Sequence, residues 1–210
     1  VLILLSLAVS CRPAAEEGVG GRRVEDFDFG WRFFKGDAGA GQRSELDDSG
    51  WRWVDLPHDW SIEGPYSEQW ASGTGYLPGG IGWYRKAFRL DPAWKDKRIT
   101  IEFDGVYKNA EVWINGQTLG KRPNGYISFA YDLTEHVRFD KENVVAVRVD
   151  HSDFADSRWY TGSGIYRSVR LVITDRLHIA HWGTFITTPA VTDETAEVTI
   201  RTELRNDSEE

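Results

Sequence analysis

The chain has 210 residues, of which 40% are hydrophobic and 28% are charged, a composition typical of a globular protein with one large domain and part of a second. Its formal net charge of −8 repels nucleic acids and anionic lipid surfaces, which leaves neutral ligands as the natural candidates. The single cysteine excludes an intrachain disulfide, so packing alone must hold the fold.

Residues 1–11 have the pattern of an export signal. They are almost wholly apolar as far as Val9, are too few to span a bilayer, and are followed by polar residues. The sequence has no Met and no basic start, so we expect a reading frame that is incomplete at the N-terminus. Residues 7–11 resemble the processing box of bacterial lipoproteins, in which Cys11 would be acylated; an ordinary signal peptide with an incidental thiol is the alternative.

The location of the protein follows from this signal. Residues 12–23 are predicted to be a linker between the lipid anchor and the folded domain. We therefore expect an exported protein, a periplasmic or cell-surface lipoprotein of a bacterium. It would meet the membrane only through the lipid on Cys11.

From Phe27 onward, apolar and polar residues alternate with period two, and no long stretch has helical spacing. The dipeptide Asn115-Gly116 tolerates positive φ and predicts a tight hairpin turn. Short strands divided by Gly, Pro, Asn and Asp predict an all-β fold, a two-sheet sandwich that is most economically a jelly roll. The alternation predicts strands at residues 27–33, 99–103, 110–114, 127–133, 145–149 and 169–173.

Residues 56–82 interrupt this pattern. They combine prolines and glycines with Trp60, Tyr66, Trp70 and Tyr76. A connection this long and this aromatic either packs over one face of the sandwich or builds the wall of a ligand site.

The apolar pattern restarts after Thr174, with Leu177, Ile179 and Trp182 and then Val198, Ile200 and Leu204. It predicts that residues 176–210 begin a second β domain. These residues hold too few strands to close a sandwich, so we expect a truncation at the C-terminus as well.

Several motifs occur in one consistent order across residues 24–175. They are LPHDWSIEGP at 56–65, GYLPGGIGWYRK at 75–86, FDGV at 103–106, VWING at 112–116, GY at 125–126, FAYDLT at 129–134 and DSRWYTGSGIYR at 156–167. Together they resemble the N-terminal sugar-binding domain of glycoside hydrolase family 2. The wording of the first two motifs resembles the β-galactosidase branch more than the glucuronidase or mannosidase branches.

The resemblance implies a domain order. Residues 24–175 would be the sugar-binding jelly roll, residues 176–210 the start of an immunoglobulin-like sandwich, and a (β/α)8 barrel with two catalytic glutamates would follow beyond Glu210. The chain would thus end before the catalytic barrel, so we assign no catalytic residue and expect the fragment alone to be inactive.

The resemblance also implies a function. The whole protein would be a retaining β-galactosidase of carbohydrate catabolism that removes terminal β-galactose from oligosaccharides. Its partners would be its own downstream domains and, in a homo-oligomer, further copies of itself. Two alternatives remain open: a non-catalytic carbohydrate-binding lipoprotein, and a domain that serves oligomer assembly and braces the barrel.

The segment around Asp156, Arg158 and Trp159 has the chemistry of a sugar site. A carboxylate accepts hydrogen bonds from two hydroxyl groups, and an indole face packs against the C–H side of a galactose ring. The resemblance implies that a carboxylate at about Asp156 reaches the terminal sugar. The alternative is that Asp156 caps a turn and pairs with Arg158 while Trp159 fills the core.

Two other residue pairs have side chains suited to binding or catalysis. Arg122 and Asn124 lie where the resemblance implies a second loop facing the active site, although turn chemistry alone would explain Asn124 before Gly125. His58-Asp59 has the composition of a catalytic dyad, but no nucleophile accompanies it, so a structural turn is favoured.

Metal and cofactor motifs are not evident. The five histidines are scattered and the one cysteine lies near the N-terminus, which gives no ligand spacing. Residues 79–82 are glycine-rich but lack the Lys-Ser or Lys-Thr of a phosphate loop. The sequence therefore predicts neither a metal site nor a cofactor.

Overall fold

The computed structural model describes residues 21–208, and within that range it contains strands and three single-turn 3₁₀ helices but no α-helix. The predicted export signal, Cys11 and the linker up to residue 20 lie outside the described residues. No helix between residues 21 and 208 is long and apolar enough to cross a membrane.

Twelve strands are formed by the described residues: β1 Arg22–Asp26, β2 Trp31–Lys35, β3 Arg52–Val54, β4 Gly80–Phe88, β5 Arg98–Phe103, β6 Ala110–Ile114, β7 Gln117–Arg122, β8 Phe129–Asp132, β9 Asn143–His151, β10 Val169–Thr174, β11 Leu177–Val191 and β12 Ala196–Asn206. The 3₁₀ helices are Ser61–Glu63, Ser72–Thr74 and Pro92–Trp94.

Two antiparallel sheets face each other as a sandwich. One has six strands in the order β3-β2-β4-β9-β6-β7, and the other has four in the order β1-β10-β5-β8. Ile99, Ile101 and Phe103 of β5 are fully buried, as are Val112 and Ile114 of β6 in the other sheet. Alternate residues of both sheets thus meet in one core, which confirms the predicted all-β sandwich.

The Asn115-Gly116 turn is confirmed by its backbone. Asn115 has φ of 51° and Gly116 has φ of 82°, the left-handed values that a two-residue hairpin turn requires. The turn connects β6 to β7, whose residues Ile114 and Gln117 are paired.

The first predicted strand is wrong in its extent. Residues 27–33 do not form one continuous strand, because a turn at residues 28–30 separates β1 from β2. Gly30 adopts φ of 71°, and its N–H donates to Asp55 at 2.8 Å. Phe27 is therefore buried at 5% exposure, whereas Phe29 points outward at 63%.

Other boundaries also differ from the sequence pattern. Arg22 and Arg23, assigned to the linker, lie in β1, and β4 begins at Gly80 inside the predicted loop. These edges carry glycine or charged residues, which give no alternating signal.

β11 and β12 form a separate two-stranded antiparallel sheet after the sandwich. The predicted strands after Thr174 are therefore present. Their apolar side chains are exposed, for example Leu177 at 62% and Trp182 at 71%. That they begin an immunoglobulin-like domain stays a prediction.

The difference in burial between Phe27 and Phe29 can be tested by urea unfolding, monitored by tryptophan fluorescence. Phe27 packs edge-to-face against Trp31 and Phe88, with ring centroids 5.8 Å and 5.1 Å away. Phe27→Ala should lower the free energy of unfolding by about 3 kcal/mol, because it empties a buried site. Phe29→Ala is the matched control and should change it by less than about 0.5 kcal/mol. Equal losses for the two variants would contradict the turn at residues 28–30.

Candidate functional site

The candidate site lies where two connections meet at one end of the sandwich. These are the aromatic loop (residues 55–79, between β3 and β4) and the β9–β10 connection (residues 152–168). Asp59 joins them, since its Oδ1 accepts hydrogen bonds from the backbone N–H of Ser61 at 2.9 Å and of Ser163 at 2.8 Å. The hydroxyl of Tyr160 also donates to Asp59. Both connections therefore form one continuous rim.

Gly73 makes a second junction between them. A Cβ at this position would lie 2.2 Å from the backbone oxygen of Ser157, so only glycine allows the approach. The aromatic loop therefore lies beside the segment that carries Asp156.

Asp156 is nearly buried, with 7% of its side chain exposed. Its Oδ2 accepts hydrogen bonds from the hydroxyl of Tyr107 at 3.0 Å and from Nζ of Lys108 at 2.9 Å, and Nε2 of His151 lies 3.4 Å away. No hydrogen-bond donor among the described residues reaches its Oδ1. Asp156 thus keeps one oxygen without a partner.

The charges of this cluster follow from burial and hydrogen bonding. Burial opposes the negative charge of Asp156, but hydrogen bonds from Lys108 and Tyr107 outweigh it and hold the pKa of this carboxyl below its usual value. Burial also opposes the charge of Lys108, but contacts with Asp153 and Asp156 raise its pKa above the usual value. Burial lowers the pKa of His151, although Asp156 acts in the opposite direction. At neutral pH an ionised carboxylate and ammonium therefore lie beside a neutral imidazole.

Trp159 lies at the surface above this cluster. It is 61% exposed, which excludes the alternative that it fills the core. Its Nε1 donates to the hydroxyl of Tyr126 at 3.0 Å, and the ring of Tyr126 packs edge-to-face on Tyr107 with centroids 5.4 Å apart. The three aromatic rings lead from the surface to the hydroxyl that binds Asp156.

Arg158 does not pair with Asp156 in the described part of the chain, where Lys108 is the cation that contacts this carboxylate. Arg158 is exposed and lines a surface depression together with Trp70, Tyr76 and Phe154. It therefore lies between the two connections, in a depression whose lining does not include Asp156.

Arg122 and Asn124 have different surroundings. The guanidinium of Arg122 lies over the ring of Tyr131, 5.3 Å from its centroid, rather than against Asp156. Oδ1 of Asn124 accepts hydrogen bonds from the backbone N–H of Tyr126 at 2.8 Å and of Ile127 at 3.3 Å. Asn124 thus shapes the turn that carries Tyr126, and a sugar contact by either residue stays a prediction.

His58 and Asp59 have separate partners. Nδ1 of His58 lies 2.7 Å from the hydroxyl of Tyr84, and its Nε2 lies 3.1 Å from Glu63, which also pairs with Arg52 at 2.7 Å. These contacts hold the aromatic loop against β4. They do not assemble a dyad.

Sequence reasoning missed Tyr107, Lys108 and His151. Tyr107 is 49 positions from Asp156, and His151 lies at the end of β9, where its neighbours are strand residues. No local pattern distinguishes these residues, because only the folded topology brings them to Asp156. Within residues 21–208, no group of three His, Cys, Asp or Glu side chains is placed to hold a metal ion.

The buried carboxylate makes a pH-dependent contribution to stability. The folded-state pKa of Asp156 is lowered, so its stabilisation is complete above the unfolded pKa and is lost as the pH falls through the folded pKa. Asp156→Asn should lower the free energy of unfolding by about 1–3 kcal/mol at pH 7, and the difference should shrink toward pH 3. Urea unfolding at a series of pH values measures it.

Asp153→Asn is the control for this experiment. Asp153 contacts the same Lys108 at 2.7 Å but is 65% exposed, so its loss should cost less than about 1 kcal/mol. A difference for Asp156→Asn that grows on acidification would contradict the assigned charge.

Comparison with known proteins identifies the family of this chain. The model of the family described as "Glycosyl hydrolases family 2, sugar binding domain" matches residues 31–175. The chain is 50% identical over 190 residues to a β-galactosidase of Bacteroides ovatus, covering 90% of this chain and 22% of that protein. It is 43% identical over 187 residues to a putative β-glucuronidase of Formosa agariphila, covering 88% of this chain and 18% of that protein.

A solved structure agrees with both sequence matches. A crystal structure of a β-glycosidase from Bacteroides vulgatus has a TM-score of 0.85 and 46% identity to this chain, covering 90% of this chain and 25% of that one. The chain thus spans a quarter or less of the length of these relatives. The resemblance stated from the motifs is confirmed: the chain belongs to glycoside hydrolase family 2, and it comprises the N-terminal sugar-binding domain of that family.

Proposed function

We propose that this chain is the sugar-binding part of a retaining β-galactosidase and that Asp156 binds the terminal galactose of an oligosaccharide. The observation that supports the proposal most strongly is the free Oδ1 of Asp156, a nearly buried acceptor with no donor among the described residues. A buried carboxylate oxygen needs a hydrogen-bond donor, and a sugar hydroxyl supplies one.

The surrounding aromatic rings fit the same ligand. Trp159, Tyr126 and Phe154 are 61%, 49% and 66% exposed, and they lie on the segments around Asp156. Exposed rings offer flat apolar faces to the C–H side of a sugar. In this proposal Arg158 and Trp159 would contact the sugar from the surface, while Asp156 accepts its hydroxyl.

The charges favour a neutral sugar over a uronic acid. Lys108 is countered by Asp153 at 2.7 Å and by Asp156 at 2.9 Å, so these three groups together are negative rather than positive. An anionic substrate placed on Asp156 would meet this carboxylate pair. The similarity to a β-galactosidase at 50% identity agrees with a neutral substrate, whereas the putative β-glucuronidase at 43% identity is the competing relative.

In this proposal, catalysis belongs to parts of the whole protein that follow the chain. A retaining glycosidase uses two carboxyl groups about 5 Å apart, one as acid and base and one as nucleophile. The domain described here would supply one wall of the pocket and orient the sugar, so the chain alone is expected to be inactive.

Substrate choice tests the proposal in the whole protein. The ratio kcat/KM for p-nitrophenyl β-galactoside should exceed that for the β-glucuronide by at least about 100-fold, because the glucuronate would be repelled. Asp156→Asn should raise KM for the galactoside by about tenfold or more. Asp153→Asn, the exposed partner of the same lysine, should leave KM unchanged.

Three results would change the proposal. A preference for the glucuronide that is lost in Arg158→Met would indicate a glucuronidase. Binding of galactose without hydrolysis would favour the non-catalytic carbohydrate-binding lipoprotein. An unchanged KM for Asp156→Asn together with altered subunit association would indicate a role in assembly.

Lipid attachment at Cys11 remains part of the proposal. Cells that express the whole protein and are fed radiolabelled palmitate should incorporate label into the wild type and not into Cys11→Ser. The variant should also move from the membrane fraction to the soluble fraction. Equal labelling of the two proteins would show that Cys11 is not the anchor.

A further inference from the structure

A chain of hydrogen bonds connects the aromatic loop to Asp156. The hydroxyl of Ser61 donates to the backbone oxygen of Pro78 at 2.8 Å, which commits its one hydrogen because a carbonyl can only accept. In the 2.6 Å contact between the hydroxyls of Ser61 and Ser163, Ser163 is therefore the donor and Ser61 the acceptor. Oγ of Ser163 must in turn accept from Nδ1–H of His151, which lies 2.6 Å away.

The direction of these hydrogen bonds fixes the tautomer of His151. The side chain is buried, and burial lowers its pKa, so the ring is neutral at pH 7. With the hydrogen on Nδ1, Nε2 is a bare acceptor. The opposite tautomer would require Ser163 to donate to Nδ1, and it would leave Ser61 one hydrogen short for its two contacts.

Two acceptors therefore face the same corner without donors. They are Nε2 of His151 and Oδ1 of Asp156, and no described residue donates to either. Nε2 lies 3.4 Å from Oδ2 of Asp156, but that oxygen is itself an acceptor, already bound by Tyr107 and Lys108. Leaving buried acceptors unpaired is costly, so the corner is built to receive hydrogen-bond donors.

We propose that His151 is a second sugar-binding residue, whose Nε2 accepts a hydrogen bond from one hydroxyl of the sugar while Asp156 binds a neighbouring hydroxyl. The ligand class is a neutral sugar with two adjacent hydroxyl groups. This inference rests on the proposed function and adds a specificity-determining residue to it. Tyr126 and Trp159 are 49% and 61% exposed and joined by a hydrogen bond, and Tyr126 packs on Tyr107, so the sugar would reach this corner along these two rings.

The proposal has a pH signature. The charged or titratable groups that face His151 are Asp156, Lys108, Lys35 and Tyr107, whose ring lies edge-to-face 5.0 Å away. Asp156 favours protonation of His151, whereas burial and the two lysines oppose it. Protonation would convert Nε2 from an acceptor into a donor to Asp156. The affinity for the sugar should therefore fall as the pH drops below the usual histidine range.

The test uses the whole protein and p-nitrophenyl galactosides that each lack one ring hydroxyl. His151→Leu should raise KM for the parent galactoside by about fivefold to tenfold, because one neutral hydrogen bond is lost. For one deoxy substrate, wild type and His151→Leu should have equal KM values, since the hydroxyl that Nε2 binds is absent. His151→Gln keeps a hydrogen-bond acceptor, so its KM for the parent galactoside should lie between those of the wild type and His151→Leu. The rise in KM at low pH should disappear in His151→Leu.

Other outcomes separate this inference from the proposed function. Suppose that His151→Leu and His151→Gln change KM by the same factor for every deoxy substrate and still show the rise in KM at low pH. The role of His151 is then structural and the inference is overturned. If His151→Leu does not fold, the same comparison is made with His151→Gln. If Asp156→Asn raises KM while the His151 variants do not, only this inference fails; if Asp156→Asn also has no effect, the proposed function fails.

Discussion

The attachment of the aromatic loop to the β9–β10 connection by Asp59 is the interaction on which the rest of the site depends. One carboxylate oxygen accepts two backbone N–H groups, from Ser61 and Ser163, and the two serine hydroxyls meet beside it at 2.6 Å. Ordering two long connections costs conformational entropy, and the strand pairing that the described residues offer to offset it is an isolated bridge between Gly164 and Tyr107. A half-buried carboxylate that satisfies both backbones can hold them together, because breaking either contact would leave a polar group unpaired. The position of Asp156 follows from this junction.

The sequence predicts the strands that have one buried and one exposed face. Its pattern misplaces or misses the strands and turns that lack this alternation. β5 alternates Ile99, Ile101 and Phe103 with polar residues, and all three are fully buried. β3 and β7 are edge strands of the six-stranded sheet, and their mostly exposed residues do not alternate between buried and exposed, so they give no period-two signal. The break at residues 28–30 was missed because Phe29 continues the apolar alternation, while the turn is set by Gly30 and by Asp55, a distant partner.

The candidate site was predictable only in its local part. The motif at residues 156–167 carries Asp156 and Trp159, and the structure joins them through Tyr126 and Tyr107. The network that sets the charge of Asp156 comes from other strands and connections, so no sequence spacing reveals it. The partner of Asp156 also differs from the one considered from sequence, since Lys108 takes the place of Arg158.

The central claim is that the free oxygen of a nearly buried Asp156 recognises a hydroxyl of the terminal sugar. A crystal structure of the whole protein with a galactose-configured inhibitor measures this most directly. The account predicts a carboxylate oxygen of Asp156 within about 3.0 Å of a ring hydroxyl, with Tyr107 and Lys108 still bound to the other oxygen. An inhibitor seated in the catalytic pocket with every hydroxyl more than about 4 Å from Asp156 would contradict it.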